Sequence, residues 1–229
     1  MILNDLKLIV RYTLKQRIFF GINLFGLTIG FVFAILAFLF AQNEFQYDKH
    51  FTNTDNTYIV ACNNGRNRSM HYGQPGIFME KMIQHMPEIE GGLRLKWSDE
   101  NLLINNTRVK AIDFIYADSV FFNFLGWDLI SGDPNQVLNP PFSVVISEDI
   151  ANKYFKDENP VGKIINARNE FDFIITVVFK NLPEQSHIST DYIASISSWE
   201  KIAPNLLHGW GWHSSGIYLR FYPGTDISQ

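Results

Sequence analysis

The longest apolar run lies near the N-terminus. From Ile18 to Ala41, "IFFGINLFGLTIGFVFAILAFLFA", 24 residues pass without a charge. At about 1.5 Å per residue a helix of that length extends about 36 Å, enough to cross a hydrocarbon layer of about 30 Å with some tilt. A signal-peptide core spans only about 7–15 residues and needs a small-x-small cleavage site, whereas this run ends in bulky "FLFAQNEF". The pattern predicts an uncleaved transmembrane helix. Ahead of it, Leu3, Leu6, Val10 and Leu14 recur at helical spacing, with Lys7, Arg11 and Lys15 on an adjoining face and Arg17 at the boundary. That spacing predicts a short amphipathic helix on the inner membrane surface, its basic side chains against anionic lipid. A plain basic flank is the alternative.

Beyond Ala41 the apolar positions fall into shorter patterns. Thr57–Asn63 reads as a strand after a polar turn. Phe78, Met79, Met82, Ile83 and Met86 mark a helix between Pro75 and Pro87; at that spacing a methionine stripe is core rather than a soft-metal site. "GGLRLKWS", "NLLINN" and "TRVKAIDFIYAD" read as three short strands, with Asn105-Asn106 as a hairpin turn. "SVFFNFLGWDLISGDP" follows as an aromatic turn of helix ending at Gly132. "PFSVVIS" reads as a buried strand, and Ser147 as the cap of a helix. Glu148 and Asp149 suit the positive end of that helix, and Ile150, Ala151, Tyr154 and Phe155 form its stripe. "KIINA" and "FDFIITVVFKNLP" predict a hairpin around Arg168–Glu170. "TDYIASIS", a short helix around Trp199–Leu207 and the strand "GIYLRFYP" complete the pattern. Strands and helices intermix without regular βαβ alternation, so the fold class is α+β on one N-terminal transmembrane helix. The expected division is 1–17 cytoplasmic, 18–41 membrane and 42–229 extracytoplasmic, the last with room for two subdomains.

Charge sharpens this division. The chain carries −4 in total. Residues 1–17 hold four Lys/Arg and one Asp, or +3, which leaves −7 for residues 42–229. The basic flank places the N-terminus in the cytoplasm by the positive-inside rule. An acidic outer domain argues against nucleic-acid binding. The single Cys62 excludes an internal disulfide, so the outer fold relies on packing, in keeping with a bacterial extracytoplasmic setting. The sequons at Asn67 and Asn105 are then chance matches. Inside the apolar run, Gly26 and Gly30 form G-x-x-x-G with Gly21 before them, a weak pointer to helix–helix packing.

Candidate chemistry is thin. Gly162-Lys163 imitates the end of a phosphate loop, but Asp157 stands where the first glycine belongs and Ile164 where a hydroxyl should reach Mg²⁺. In "HGWGWHSSG", Trp212 takes the first glycine position of a nucleophile elbow at Ser214. His208 and His213 do not share a helix face, and an aromatic turn accounts for them better than a metal site or a triad including Ser215. His187 follows Ser186 without an acidic orienter at useful spacing. The pairs Asp99-Glu100, Glu148-Asp149 and Asp157-Glu158 are adjacent, hence splayed. No enzyme, cofactor or metal is expected.

An ordered set of stretches nevertheless resembles the N-terminal part of MacB/FtsX-type ABC transporter permeases, in the form common in Bacteroidetes-like bacteria. "GINLFGLTIGF" resembles the first membrane helix and "NEFQYDKHFTNTDNTYIV" its exit. "ADSVFFNFLGWDLISGDPNQVLNPPFSVVISEDIANKYFKDENPVGKIIN", "FIITVVFKNLPEQSHISTDYIASIS" and "GIYLRFYPGTDIS" resemble successive parts of the periplasmic core domain. Tyr154, Phe155, Pro160, Val161, Gly162, Lys163, Pro183, Ser186 and His187 carry the signature. The resemblance implies an inner-membrane permease that dimerises with itself or a second permease and pairs with a cytoplasmic ABC ATPase. ATP hydrolysis by that partner would couple, through the first helix, to motion of the outer domain for efflux or mechanical work. The family has further membrane helices after the outer domain, so a chain ending at Gln229 is expected to be a truncated product or fragment. The alternative is a single-pass anchored binding or sensor domain.

Overall fold

The computed structural model describes residues 15–45, 47–49, 51, 55–63, 70–130, 132–134, 136–156, 158–181, 186–211 and 213–227. Lys7, Arg11, Pro183, Asp157 and Trp212 lie outside them, as does nearly all of the predicted amphipathic segment. The chain divides into two compact units, residues 1–47 and 48–229.

The first unit is dominated by helix α1 (Arg17–Phe45), with no buried residue. It is long and apolar enough to cross a membrane, and continues four residues past the uncharged run. Thr28 donates its hydroxyl to the Leu24 carbonyl at 2.8 Å, so this polar group is satisfied within the helix.

In the second unit the elements run β1 (Thr57–Ile59), β2 (Cys62–Asn63), β3 (Met70–His71), β4 (Gly73–Pro75), α2 (Phe78–His85), β5 (Ile89–Ile104), β6 (Thr107–Ala117), α3 (Phe121–Leu125), β7 (Ser143–Ser147), α4 (Glu148–Phe155), β8 (Ile164–Ala167), β9 (Phe171–Phe179), β10 (Tyr192–Ser195), α5 (Ser198–Ile202), α6 (Pro204–His208) and β11 (His213–Phe221). Intermixed strands and helices make this an α+β domain. The main sheet follows the order β1-β11-β5-β6-β10-β7-β9-β8, with β4 also on β11. β10 runs parallel to β6, and β7 parallel to β9. β8 also pairs with β5 at Leu102↔Ala167 and Leu103↔Asn166, so β5, β6, β10, β7, β9 and β8 close into a ring.

Two β-bulges make that closure possible, because an extra residue bends a strand and reverses which face its side chains take. On β5 and β6 the register shifts between Ser98↔Phe114 and Glu100↔Ala111, and Asp113 adopts φ +61°. On β9 it shifts at Thr176, between Ile175↔Val144 and Val177↔Val145. The effect is visible in the cores. Phe173 and Ile175 join Leu102, Phe114, Tyr116 and Ile146 in a core filling the ring, to which α4 adds Ile150, Ala151 and Phe155. Past the bulge, Val177 and Phe179 belong instead to a second core with Leu95, Ile115, Ile193 and the aromatic residues of α3. β7 and β10 are buried on both faces, which is why "SVVIS" alternates so little. A smaller core beneath α2 unites Met79, Ile89, Ile217 and Leu219.

Local signals account for most elements. Ser147 caps α4, its hydroxyl accepting from Ile150 N at 3.3 Å. Asn105 and Asn106 both adopt positive φ, +46° and +62°, as a tight hairpin turn requires. Four expectations need correction. "GGLRLKWS" and "NLLINN" belong to one 16-residue strand, β5, because a bulge carries the ladder through polar Ser98–Asn101. The aromatic helix α3 ends at Gly126, left-handed at φ +67°, six residues before Gly132. The strand expected at 57–63 is split between β1 and β2, which belong to different sheets. The helix around Trp199–Leu207 is two, because the chain leaves helical geometry at Ala203 (φ −155°) just before Pro204.

Candidate functional site

Asp48, three residues beyond the end of α1, starts one polar constellation. It sits in the left-handed region at φ +59° and accepts the Phe51 N–H at 3.1 Å on its carbonyl. That turn sends Phe51, 3% exposed, into the second core. There its ring meets Trp127 edge-on at 6.1 Å and His187 at 5.8 Å. The Asp48 carboxylate accepts from His187 twice, from the backbone N–H at 2.9 Å and from Nδ1 at 2.8 Å. With Nδ1 donating, a neutral imidazole leaves Nε2 as acceptor for the Tyr218 hydroxyl, 3.0 Å away on β11. Burial, reinforced by the Asp48 charge, raises the Tyr218 phenol well above its ordinary 10 and keeps it a donor.

His187 is held by its neighbours. The buried Ser186 hydroxyl donates to Ile188 O at 2.8 Å and accepts from Ile188 N at 3.2 Å, a tight local turn. Ile188 is fully buried below it. The structure therefore supplies the acidic orienter that reading along the chain did not find, 139 residues away. The arrangement is a clamp rather than a catalytic triad. Its third member is a phenol driven away from ionisation, and the neighbouring serine hydroxyl is committed to the backbone.

The rest of the family signature gathers in another place. Phe155 and Pro160 are buried, Tyr154 half-buried. Asn159 Oδ1 accepts from Val161 N at 3.1 Å, and Pro160 O accepts from Lys163 N at 3.0 Å across a turn whose Gly162 has φ +85°. Only glycine adopts that angle freely. The turn is docked on β9 by Gly162 N–Ile175 O at 2.7 Å and Ile175 N–Lys163 O at 2.9 Å. Lys163 pairs with Glu158 and lies 5.3 Å from the centre of the Phe155 ring. The Lys163 hydrogen bond, then its charge, holds the Glu158 carboxyl below the ordinary carboxylate range. Gly-Lys here is a structural turn.

Gly21, Gly26 and Gly30 lie on exposed α1, and a Cβ added at any of them meets nothing within 4 Å. Lys15 and Arg17 are exposed. His208 is 4.0 Å from Glu200 at the surface. Among the described residues no three His, Cys, Asp or Glu gather as metal ligands would.

A second constellation went unnoticed in the sequence because its members lie far apart along the chain. Glu100, 1% exposed, points into the ring. Arg168, in the β8–β9 turn, donates to both its oxygens, from Nε and Nη2, each at 2.6 Å. Tyr116 and Ser98 donate their hydroxyls to it at 3.1 and 2.9 Å. Lys96 Nζ lies 4.4 Å from the centre of the Trp199 ring. Burial, then the Arg168 charge, lowers the Lys96 ammonium below its ordinary value, opposed by Glu100. Burial, then the Glu100 charge, raises the Tyr116 phenol. Outside this cluster opens a recess of about 530 Å³ lined by Asn101, Arg108, Lys110, Arg168 and Asn169 over Leu102 and Val109.

Comparison with known proteins places this architecture. Among solved structures, a domain of a protein described as a permease from Porphyromonas gingivalis superposes with TM-score 0.66 at 21% identity, covering 77% of this chain and 79% of its own. The periplasmic region of MacB from Actinobacillus actinomycetemcomitans gives 0.55 at 19%, covering 78% and 82%. The extracellular domain of the ABC-type transporter YknZ from Gram-positive bacteria gives 0.50 at 13%, covering 73% and 83%. At these identities the likeness is one of fold. No curated protein is matched by the sequence. The model of the MacB-like periplasmic core domain matches residues 20–229, nearly the whole length of α1 and everything after it. The chain belongs to the MacB-like periplasmic core domain family, a family of ABC-type permeases.

Proposed function

We propose that the chain is a permease subunit, or the N-terminal portion of one, that couples ATP hydrolysis by a separate cytoplasmic ATPase to motion of its outer domain. In this reading α1 crosses the inner membrane from a cytoplasmic N-terminus, with 18–41 as the span and 42–229 on the far side. Lys7, Arg11, Lys15 and Arg17 lie against anionic lipid, and Gly21, Gly26 and Gly30 form a packing face toward a second permease copy or another helix. The work is mechanical, and catalysis belongs to the partner.

The observation that carries this reading is the Asp48–His187–Tyr218 clamp. In this reading a displacement of α1 reaches the outer domain through the polypeptide after Phe45, where the Asp48 carboxylate accepts from His187, whose Nε2 in turn meets the Tyr218 hydroxyl of β11. Phe51, inserted three residues later, makes the attachment apolar as well as polar.

The test is co-expression of the full chain with a candidate ABC ATPase from the same genome. Co-purification and stimulated ATP hydrolysis are expected, with stimulation lost in Asp48→Ala/His187→Ala while complex formation persists. An ATPase that neither co-purifies nor responds to the chain overturns the proposal.

A further inference from the structure

Lys96 is the member of the ring cluster that the hydrogen bonds leave out. Glu100 is fully engaged: its Oε1 accepts from Ser98, Tyr116 and Arg168 Nη2, and its Oε2 from Arg168 Nε. Lys96 is 9% exposed, yet its ammonium has no hydrogen-bond acceptor among the described residues. It lies instead 4.4 Å from the centre of the Trp199 ring, and Arg168 Cζ lies 5.8 Å from that ring. The indole beneath is short of a partner too. Trp199 is 6% exposed, and its Nε1–H is sealed from solvent without an acceptor. A buried polar group in that state costs free energy and asks for an explanation.

Desolvation and a neighbouring cation are the two conditions that make a lysine amine neutral and nucleophilic. Lys96 meets both. Burial first, then the Arg168 charge, lower its ammonium, and Glu100 opposes them with the smaller effect. The field of Arg168 therefore outweighs that of Glu100 at this nitrogen. A net positive field disfavours an ammonium and favours an anion in the same place. The Lys96 nitrogen is not among the sealed, unpartnered atoms, so it keeps a narrow contact with solvent. Such an opening admits a small neutral electrophile.

We propose that Lys96 is a carbamylation site, its amine taking up dissolved carbon dioxide. The nitrogen attacks the carbon of CO2 and forms an N–C bond; one C–O double bond opens to leave a carboxylate, and the nitrogen releases one proton to solvent. The carbamate faces the Arg168 charge and offers the Trp199 N–H the acceptor it lacks. A cationic side chain is thereby exchanged for an anionic one at the mouth of the ring, under the control of dissolved CO2. This concerns the outer domain alone and does not depend on coupling to an ATPase.

The experiment equilibrates the full chain, in detergent micelles in a sealed tube, with isotopically labelled bicarbonate and follows the carbamate by carbon NMR. A saturable carbamate resonance is expected in wild type and is lost in Lys96→Arg. Trapping the carbamate as its ester with a trialkyloxonium salt, followed by peptide mapping, should place it on Lys96 in the wild-type chain, with no variant needed. Trp199→Phe keeps an aromatic ring and removes the N–H, and should raise the half-saturating bicarbonate concentration about tenfold. A melting curve verifies that each variant is folded. A wild-type chain with no carbamate resonance at saturating bicarbonate overturns the proposal. So does a resonance that persists unchanged in folded Lys96→Arg, or a trapped ester found only on the N-terminal amine or on other lysines.

Discussion

Replacing Arg168 by alanine tests whether the ring tolerates a stranded charge. Glu100 has a side chain with no exposure, whereas that of Arg168 is 39% exposed. Removing one partner of a buried ion pair costs about 3–5 kcal/mol, because the remaining charge loses its compensation. Water can reach part of the space Arg168 leaves, and Tyr116 and Ser98 still donate to the carboxylate. The lower end, about 3 kcal/mol, is therefore expected. Arg168 already sits at φ +57°, so alanine brings no new backbone strain. For a domain of this size about 3 kcal/mol lowers the melting temperature by roughly 6–12 °C. Glu100→Gln keeps the shape and removes the charge, so in the double variant much of the loss should return. Melting of the full chain followed by circular dichroism, for wild type, both single variants and the double, closes the cycle. A shift under about 2 °C for Arg168→Ala, or strictly additive losses, refutes the claim that the pair acts as a unit.

Ser147→Ala removes the cap of α4 and a 2.6 Å hydrogen bond donated to Asp191; a loss of about 1–2 kcal/mol in denaturant melts is expected, most of it recovered by Thr but not by Asp, which caps the helix yet cannot donate to Asp191. Lys163→Met should raise the Glu158 titration toward its ordinary 4.5, followed by NMR. Because the folded value lies below the ordinary one, this pair's contribution is present above pH 4.5 and fades as pH falls through the folded value. Glu158 is fully exposed, so the melting temperature at neutral pH should not move measurably. A Cβ at Gly26 or Gly30 meets nothing within 4 Å among the described residues, so with Gly26→Leu and Gly30→Leu melting of the outer domain should be unchanged. Cysteine crosslinking between copies through α1 should fall if these glycines pack helices together.

The parts legible from the sequence are those fixed by near neighbours. The hairpin at Asn105-Asn106, the Ser147 cap, the apolar run of α1 and the Met79–Met82–Met86 stripe each depend on residues within a few positions. What escaped depends on partners far along the chain. Ser98–Asn101 is polar and looks like a turn, yet it stays in the ladder with β6, and Glu100 faces into the ring toward Arg168, 68 residues on. His187 looked unsupported for the same reason. Its carboxylate lies at the other end of the domain's sequence, and no local spacing encodes that pairing.

The seam between β5 and β8 has a consequence for solubility. Two residue pairs hide the outer edge of β8, and an exposed strand edge is a template on which another chain can add. Loosening that seam, for example through the Arg168 turn beside it, would uncover unpaired backbone flanked by exposed Ile164 and Ile174. The closed ring thus also protects each copy of the domain from strand exchange with other copies.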